Sequence, residues 1–382
     1  MSYNLTEIAE TIKNSDKKVQ LVYAFNGTGK TRLSREFRML VDPKIVTETD
    51  EPADFSNSKV LYYNAFTEDL FYWDNDLNED KERQLHIQPN SFTNRLLHFL
   101  RSQGMDGQIA HRFQQYSNSN ITPYFSTNFS KVTFSLERGG DDSLSNIKVS
   151  KGEESSFVWS VFYSLLEQVI NIRNVLEVEN RETGQFNKLE YVFIDDPVSS
   201  LDDNHLIELA VNLAELIKLS DFTTRKKLRF IISTHNPLFY NVLHNELGLK
   251  KNGKKEGCYL LERFEDGSFD LNVKYGDSNR SFSYHLHIKL LIETAIAERK
   301  VERYHFTLLR NLYEKTASFL GYREWADLLP ENKTAYFNRI IQYTSHSSLS
   351  GEAVSHPSEQ EKKTVELLLK HLIENYSFWK QE

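Results

Sequence analysis

The sequence predicts an α/β domain with a parallel sheet and a phosphate-binding loop, followed by a mostly α-helical C-terminal domain. Three observations support this. A glycine-rich stretch, YAFNGTGKT (Tyr23–Thr31), lies between an apolar run and a helical one. Two further apolar runs, YVFID and LRFIIST, are separated by the helical NHLIELAVNLAELIKL, and strands alternating with helices form parallel sheets. Beyond a polar stretch around residue 280, nearly every segment has helical spacing.

Taken in order, VQLVYAF (Val19–Phe25) is short, apolar and β-branched, which predicts a buried strand. The glycine turn follows, and KTRLSREFRML continues as a helix. The aromatic-rich VLYYNAFTEDLFYWD is expected to form a strand and then a loop. Residues 121–149 alternate, as in KVTFSLE, and carry GGDD turn chemistry, the pattern of a hairpin. ESSFVWSVFYSLLEQVINIRNVLE is a strong helix; YVFID and LRFIIST are buried strands. At YGDSNRSFS (Tyr275–Ser283) the texture changes to a small polar linker. The expected division is therefore a nucleotide-binding domain over residues 1–278 and a helical domain over 279–382. HLHIKLLIETAIAERK, HFTLLRNLYEKTASFL and KKTVELLLKHLIENY are the helices of the second part. About 120 residues separate the glycine loop from the next motif, with no pair of long coiled-coil arms among them.

Composition narrows the function classes. Of 382 residues, 39% are hydrophobic and 26% charged, an ordinary globular mix. The net charge of -8 argues against a general DNA-coating protein, because such binding needs Lys and Arg to neutralise phosphates. From Gly276 onward fourteen Lys and Arg balance fourteen Asp and Glu, so the acidity lies in the first 275 residues. Any nucleic acid contact is then local and shaped, which favours a folded RNA over an extended duplex. The single cysteine, Cys258, excludes a disulfide framework and a cysteine zinc site, and fits a reducing cytoplasm. No apolar run approaches the roughly 18 residues of a membrane span, and the opening MSYNLTEIAETIKNSDKK has no signal-peptide core. The expected location is the cytoplasm, away from membranes.

Asn26-Gly27-Thr28-Gly29-Lys30-Thr31 has the parts of a phosphate loop. In such a loop backbone N–H groups curl around anionic oxygens, the lysine reaches the β- and γ-phosphates, and the threonine ligates Mg²⁺. Ala24 stands where the usual pattern has its first glycine, at little cost if its φ is negative. YVFIDDPVSSLD (Tyr191–Asp202) is an apolar strand ending in paired carboxylates. Asp195 is placed to hold Mg²⁺ through water, and Asp196 to act as general base for hydrolysis. VSKGEES (Val149–Ser155) offers Ser150 and Gly152 to a γ-phosphate at the start of a helix, and IISTHNP puts His235 at a strand end to sense that phosphate. In this order the set resembles the ABC-type ATPase head: Walker A, signature, Walker B with a D-loop reaching Asp202, and switch histidine. The resemblance implies ATP, GTP or both with Mg²⁺, and a homodimer or higher oligomer in which one protomer's signature completes another's site. SKGEE stands for the familiar SGGQ and Asp196 for the usual glutamate, whose longer side chain suits fast hydrolysis better.

In the C-terminal part, LLRNLYEKTASFLGY places Arg310 and Glu314 at i and i+4, on one helix face. His346 follows in YTSHSSLSG and His356 in AVSHPSE. Arg, Glu and His together suit metal-free RNA cleavage. One group takes the proton from the 2′-OH, another protonates the leaving 5′-oxygen, and arginine steadies the phosphorane. The products are a 2′,3′-cyclic phosphate and a 5′-OH. No carboxylate cluster suited to two metal ions stands in this region. The same residues also suit a solvated salt bridge beside idle histidines, as in an ATPase sensor that recruits a separate effector nuclease. A DNA-end-binding repair ATPase is a further alternative, which the missing arms disfavour.

LVYAFNGTGKTRLSREF, FIDDPVSSLDDNH, and Arg-x₃-Glu followed about thirty residues later by histidine together resemble the PrrC-type anticodon nucleases. These join an ABC-type NTPase head to a C-terminal ribonuclease. The resemblance implies that Arg310, Glu314 and His346 form the nuclease triad, with His356 in reserve. It further implies cleavage of tRNA, best known for lysine tRNA, in the anticodon loop. It implies a guarded toxin of anti-phage defence, silenced by a type I restriction–modification complex and gated by nucleotide. Aromatic neighbours suited to stacking loop bases are Tyr304, Tyr313, Tyr322, Trp325 and Tyr343.

Overall fold

The strands, in chain order, are β1 (Val19–Tyr23), β2 (Val60–Asn64), β3 (Phe71–Asp74), β4 (Gln84–Ile87), β5 (Ile121–Phe125), β6 (Lys131–Glu137), β7 (Ser143–Leu144), β8 (Tyr191–Asp195), β9 (Arg229–Thr234), β10 (Cys258–Arg263) and β11 (Phe269–Val273). The helices are α1 (Leu5–Lys13), α2 (Lys30–Val41), α3 (Ser91–Ser102), α4 (Asp106–Ser117), α5 (Lys151–Asn174), α6 (Asp203–Leu219), α7 (Pro237–Glu246), α8 (Tyr284–Ala297), α9 (Arg303–Leu320), α10 (Lys333–Thr344) and α11 (Glu359–Asn375). The structure is a computed structural model. It describes residues 3–43, 54–64, 70–76, 79, 81–88, 90–117, 119–137, 143–197, 203–223, 227–249, 257–264, 266–274, 284–344 and 357–376. The chain divides into two compact units, Met1–Asp277 and Ser278–Glu382.

In the first unit, one sheet has the order β11-β10-β1-β9-β8-β2. Its strands from β10 to β2 run parallel, while β11 pairs antiparallel with β10. The sheet is therefore mixed rather than wholly parallel, because the chain returns from β10 through a tight hairpin instead of a crossover helix. Every residue of β1 and β8 is buried, as expected of strands covered on both faces. Against one face pack Leu5, Ile8 and Ile12 of α1 with Leu33 and Phe37 of α2, meeting Val22, Phe193 and Ile231. Helix α5 is buried along nearly its whole length, the burial expected where apolar residues surround a helix. It begins at Lys151, three residues before the stretch ESSFVWSVFY that predicts it, because Ser150 caps it.

A second, antiparallel sheet has the order β3-β4-β6-β5, with β7 paired to β6. Strand β3 corrects the expectation of a loop after β2, since Phe71–Asp74 pairs in register with Gln84–Ile87. The hairpin of residues 121–149 is present as β5 and β6, and its turn lies at residues 126–130; the GGDD residues lie outside the described residues.

In the second unit, the described elements are α8 to α11 and a short 3₁₀ turn at Trp325–Leu328. Ile288, Ile292, Phe306, Leu309, Leu312, Tyr313, Leu368 and Leu372 form its core. Helix α9 stops at Gly321, whose φ of 78° supplies the left-handed cap that ends a helix.

Candidate nucleotide site and candidate ribonuclease site

Strand β1 delivers the chain to the glycine loop, and α2 starts at Lys30 with the Leu33 amide donating to the Gly29 carbonyl (2.9 Å). Gly27 and Gly29 have φ of 80° and 115°, conformations that other residues rarely adopt. No atom lies within 4 Å of where a Gly27 Cβ would sit, so the loop is open on that side. Ala24 is not among the positive-φ residues. Its methyl is buried in the core with Val22 and Leu33. An alanine is thus not merely tolerated here; it packs.

Lys30 is only 7% exposed. Its Nζ lies 3.3 Å from the Ala24 carbonyl, 3.2 Å from Asn26 Oδ1 and 3.3 Å from Asp196 Oδ2. Asp195, at the end of β8, is 2% exposed. It accepts hydrogen bonds from Ser233 Oγ (2.5 Å) and from the Thr31 hydroxyl. Burial pushes its carboxyl above the ordinary range, and the Asp196 charge adds to this, while the Ser233 and Thr31 bonds oppose it. The two residues expected at Mg²⁺, Thr31 and Asp195, are therefore in contact.

Asp196 has a left-handed φ of 50°, in the class of strained conformations that cluster at functional sites. Its amide donates to the Ser233 carbonyl (2.9 Å). His235 Nδ1 lies 2.8 and 2.7 Å from its two oxygens, and since a carboxylate only accepts, Nδ1 carries the proton. Burial would raise this carboxyl, but the His235 hydrogen bond and the Lys30 charge outweigh burial and hold it below the usual carboxylate range. The structure thus brings Lys30, Asp196 and His235 into one chain of contacts.

Ser150 is exposed at the start of α5. Its side chain accepts from the Glu153 amide while Glu153 Oε2 accepts from the Ser150 amide (2.7 Å). This capping box satisfies part of the helix N-terminus. Gly152 lies in the first turn. Asp202 lies outside the described residues.

On α9, Arg310 Nε donates to Glu314 Oε1 at 2.7 Å, the side chains being 33% and 42% exposed. The Arg310 guanidinium lies 6.0 Å from the Trp325 ring centroid, and Trp325 stacks on Phe337 at 5.1 Å and 20°. Among the expected aromatics, Tyr304 and Tyr322 are exposed, whereas Tyr313 is core and donates to the Leu368 carbonyl (2.9 Å). His346 and His356 lie outside the described residues.

Sequence reasoning missed Ser233 and Tyr62. Both contact Asp195, and Tyr62 approaches it at 3.4 Å from β2, 133 residues away in sequence. The pattern of β2 carries no local sign of that contact.

The residues present fit a nucleotide with Mg²⁺: a positive-φ glycine loop open to one side, a buried lysine, and a hydroxyl touching a buried carboxylate. An α/β P-loop ATPase-like head is the class that this fold and site define. In agreement, a family model described as an AAA domain matches residues 120–372. The whole chain is 58% identical to an anticodon nuclease of Escherichia coli, over 99% of that protein. The chain belongs to the anticodon nuclease family, a family of enzymes. Among solved structures, the head of an Smc protein bound to the C-terminal winged-helix domain of ScpA is 12% identical. It covers 68% of this chain and 90% of its own, with a TM-score of 0.32. An Smc head with an extended coiled coil, bound to the C-terminal domain of ScpA derived from Pyrococcus furiosus, is 13% identical. It covers 53% and 42%, with a TM-score of 0.28. Among the described residues, no helix is long and apolar enough to cross a membrane.

Proposed function

We propose that the chain is a nucleotide-gated ribonuclease that cuts tRNA in the anticodon loop, lysine tRNA by preference. The observation that carries this reading is the solvent-open Arg310–Glu314 pair on α9, in a chain 58% identical throughout to an anticodon nuclease. The proposed chemistry needs no metal. Glu314 and His346 share the acid and base roles, one removing the 2′-OH proton and the other protonating O5′ as the P–O5′ bond breaks. Arg310 stabilises the phosphorane. The ends are a 2′,3′-cyclic phosphate and a 5′-OH. His356 takes the place of His346 if the latter proves idle.

The first unit is proposed as an ABC-type head without coiled-coil arms, and residues 279–382 as the helical nuclease domain. Asn26 to Thr31 bind the phosphates, Thr31 and Asp195 hold Mg²⁺, Asp196 acts as base, and His235 senses the γ-phosphate. When bound, Mg²⁺–ATP or Mg²⁺–GTP supplies the free energy that gates the nuclease. The exposed Ser150, with Gly152 and Asp202, serves a partner's nucleotide, which makes the active form a homodimer or larger. Coupling between head and nuclease is reciprocal, so RNA binding alters nucleotide affinity as nucleotide alters RNA binding. In the cell the enzyme acts in the cytoplasm as a guarded toxin against phage, silenced by a type I restriction–modification complex.

A second reading has one observation in its favour: an exposed i,i+4 pair is also what an ordinary surface salt bridge looks like. In that reading the chain is an ATPase sensor with a separate effector nuclease. Incubating the purified protein with total tRNA and Mg²⁺–nucleotide, then sequencing fragment ends, separates the two. Anticodon-loop cuts bearing cyclic phosphate, absent with His346→Ala, are expected. No cutting in any nucleotide state refutes the nuclease reading and leaves the sensor.

A further inference from the structure

Strand β2 runs beside β8 with Tyr62 opposite Phe193 and Asn64 opposite Asp195. Because side chains alternate along a strand, Tyr62 and Asp195 share the face that meets α2. The Tyr62 hydroxyl lies 3.0 Å from Ser34 Oγ and 3.4 Å from Asp195 Oδ2, and it also bonds the Asn64 side chain. Ser34 is fully buried on α2, one turn after Thr31, and its Oγ donates to the Thr31 carbonyl at 2.9 Å. The tyrosine ring is fixed as well: the Arg38 guanidinium sits 4.7 Å above it, and Phe193 packs at 6.2 Å between centroids.

A phenol keeps its proton at neutral pH, so the Tyr62 hydroxyl is available as a donor. Ser34 and Tyr62 own one hydroxyl proton each; with Tyr62 donating to Asp195, the contact with Ser34 is made by the Ser34 proton, which then leaves its alternative acceptor, the Thr31 carbonyl. The result is a continuous link from the phosphate-loop helix to the carboxylate beside Thr31. Ser233 holds Oδ1 at 2.5 Å and Tyr62 meets Oδ2, so each oxygen of the carboxylate has a partner that orients it.

We propose that Tyr62 is a positioning residue of the Mg²⁺–nucleotide site, its hydroxyl, anchored by Ser34 of the phosphate-loop helix, holding Asp195 in the orientation that faces Thr31. The inference rests on the reading of Thr31 and Asp195 as the Mg²⁺ pair. Tyr62 itself touches neither nucleotide nor metal. Removing its hydroxyl weakens the contribution of the metal to binding while leaving the ring and its packing in place.

The test uses the full chain and a fluorescent ATP analogue, titrated with Mg²⁺ present and again with the metal chelated. The readout is the ratio of the two affinities. Tyr62→Phe and Ser34→Ala are each expected to lower this ratio about tenfold, the range for losing a group that supports a metal ligand. Asp195→Asn is expected to abolish it. A purely structural role for Tyr62 changes the melting temperature and both affinities together and leaves the ratio alone. If Asp195→Asn lowers the ratio and Tyr62→Phe does not, the proposal is overturned while the Mg²⁺ assignment stands. If Asp195→Asn leaves the ratio at the parent's value, the Mg²⁺ assignment fails and the proposal falls with it.

Discussion

Replacing Glu314 by glutamine separates catalysis from stability, because the structure limits how much stability the Arg310–Glu314 pair can supply. The pair spans one helical turn at 2.7 Å, and its side chains are 33% and 42% exposed. Exposed i,i+4 pairs contribute about 0.3–0.5 kcal/mol. Arg310→Ala also loses the Trp325 contact at 6.0 Å, worth about 0.5 kcal/mol at an exposed site. For the unit Ser278–Glu382, a loss of up to about 1 kcal/mol lowers the melting temperature by roughly 4–8 °C at most. Loss of an acid–base group or of a charge stabiliser slows chemistry by about 10²–10⁴-fold, or roughly 3–5 kcal/mol. Catalysis therefore loses several times more free energy than folding does. Single-turnover cleavage of a tRNA pool with enzyme in excess measures the first, and a circular-dichroism melt the second. If Glu314→Gln cleaves within about threefold of the parent, the pair is a surface salt bridge and the catalytic assignment is wrong.

Three other outcomes are expected. Lys30→Ala abolishes nucleotide binding in a fluorescence titration, yet leaves the fold intact by circular dichroism, since its Nζ contacts are all 3.2 Å or longer. Gly257→Ala destabilises the first unit by about 3 kcal/mol, because the residue sits at φ +60° and a Cβ would lie 2.4 Å from the Val19 carbonyl. A melt should show a drop of roughly 6–12 °C. The third concerns pH. Asp196 is held below its ordinary range, so its contribution to stability is present above the unfolded carboxylate pKa and is lost as pH falls through the lower folded value. The melting-temperature deficit of Asp196→Asn relative to the parent should therefore be full at pH 7 and shrink once pH falls below the ordinary carboxylate value of about 4; a deficit constant with pH would contradict the assigned contacts.

What was legible in the sequence was what is local. Buried strands β1, β8 and β9 announce themselves as continuous apolar runs, and the glycine loop, the paired aspartates and the Arg310–Glu314 spacing are all local patterns. The antiparallel sheet was not legible beyond its β5–β6 hairpin. Strands β3 and β4 are four residues each, too short for alternation to rise above chance. Strand β11 escaped notice because its direction depends on pairing with β10, not on its own residues. At the site, Asp196 and His235 could be singled out separately, but their 2.7 Å contact joins residues 39 apart. The Tyr62–Asp195 approach spans 133 residues. Periodicity carries no record of contacts at that range.

Lys30 has a consequence of its own. An ammonium group owns three protons, yet four oxygens surround this one: two carbonyls at 3.3 and 3.5 Å, an amide at 3.2 Å and a carboxylate at 3.3 Å. None comes as close as the 2.7–2.9 Å of a well-formed bond between charged partners. The cation is shielded from water but settled on nobody. A phosphate bound in the loop would compete with four long contacts and no strong bond, and one of the four oxygens belongs to Asp196. The same carboxylate is also held by His235 Nδ1 at 2.7 Å, so any change at the lysine reaches the histidine through one shared group.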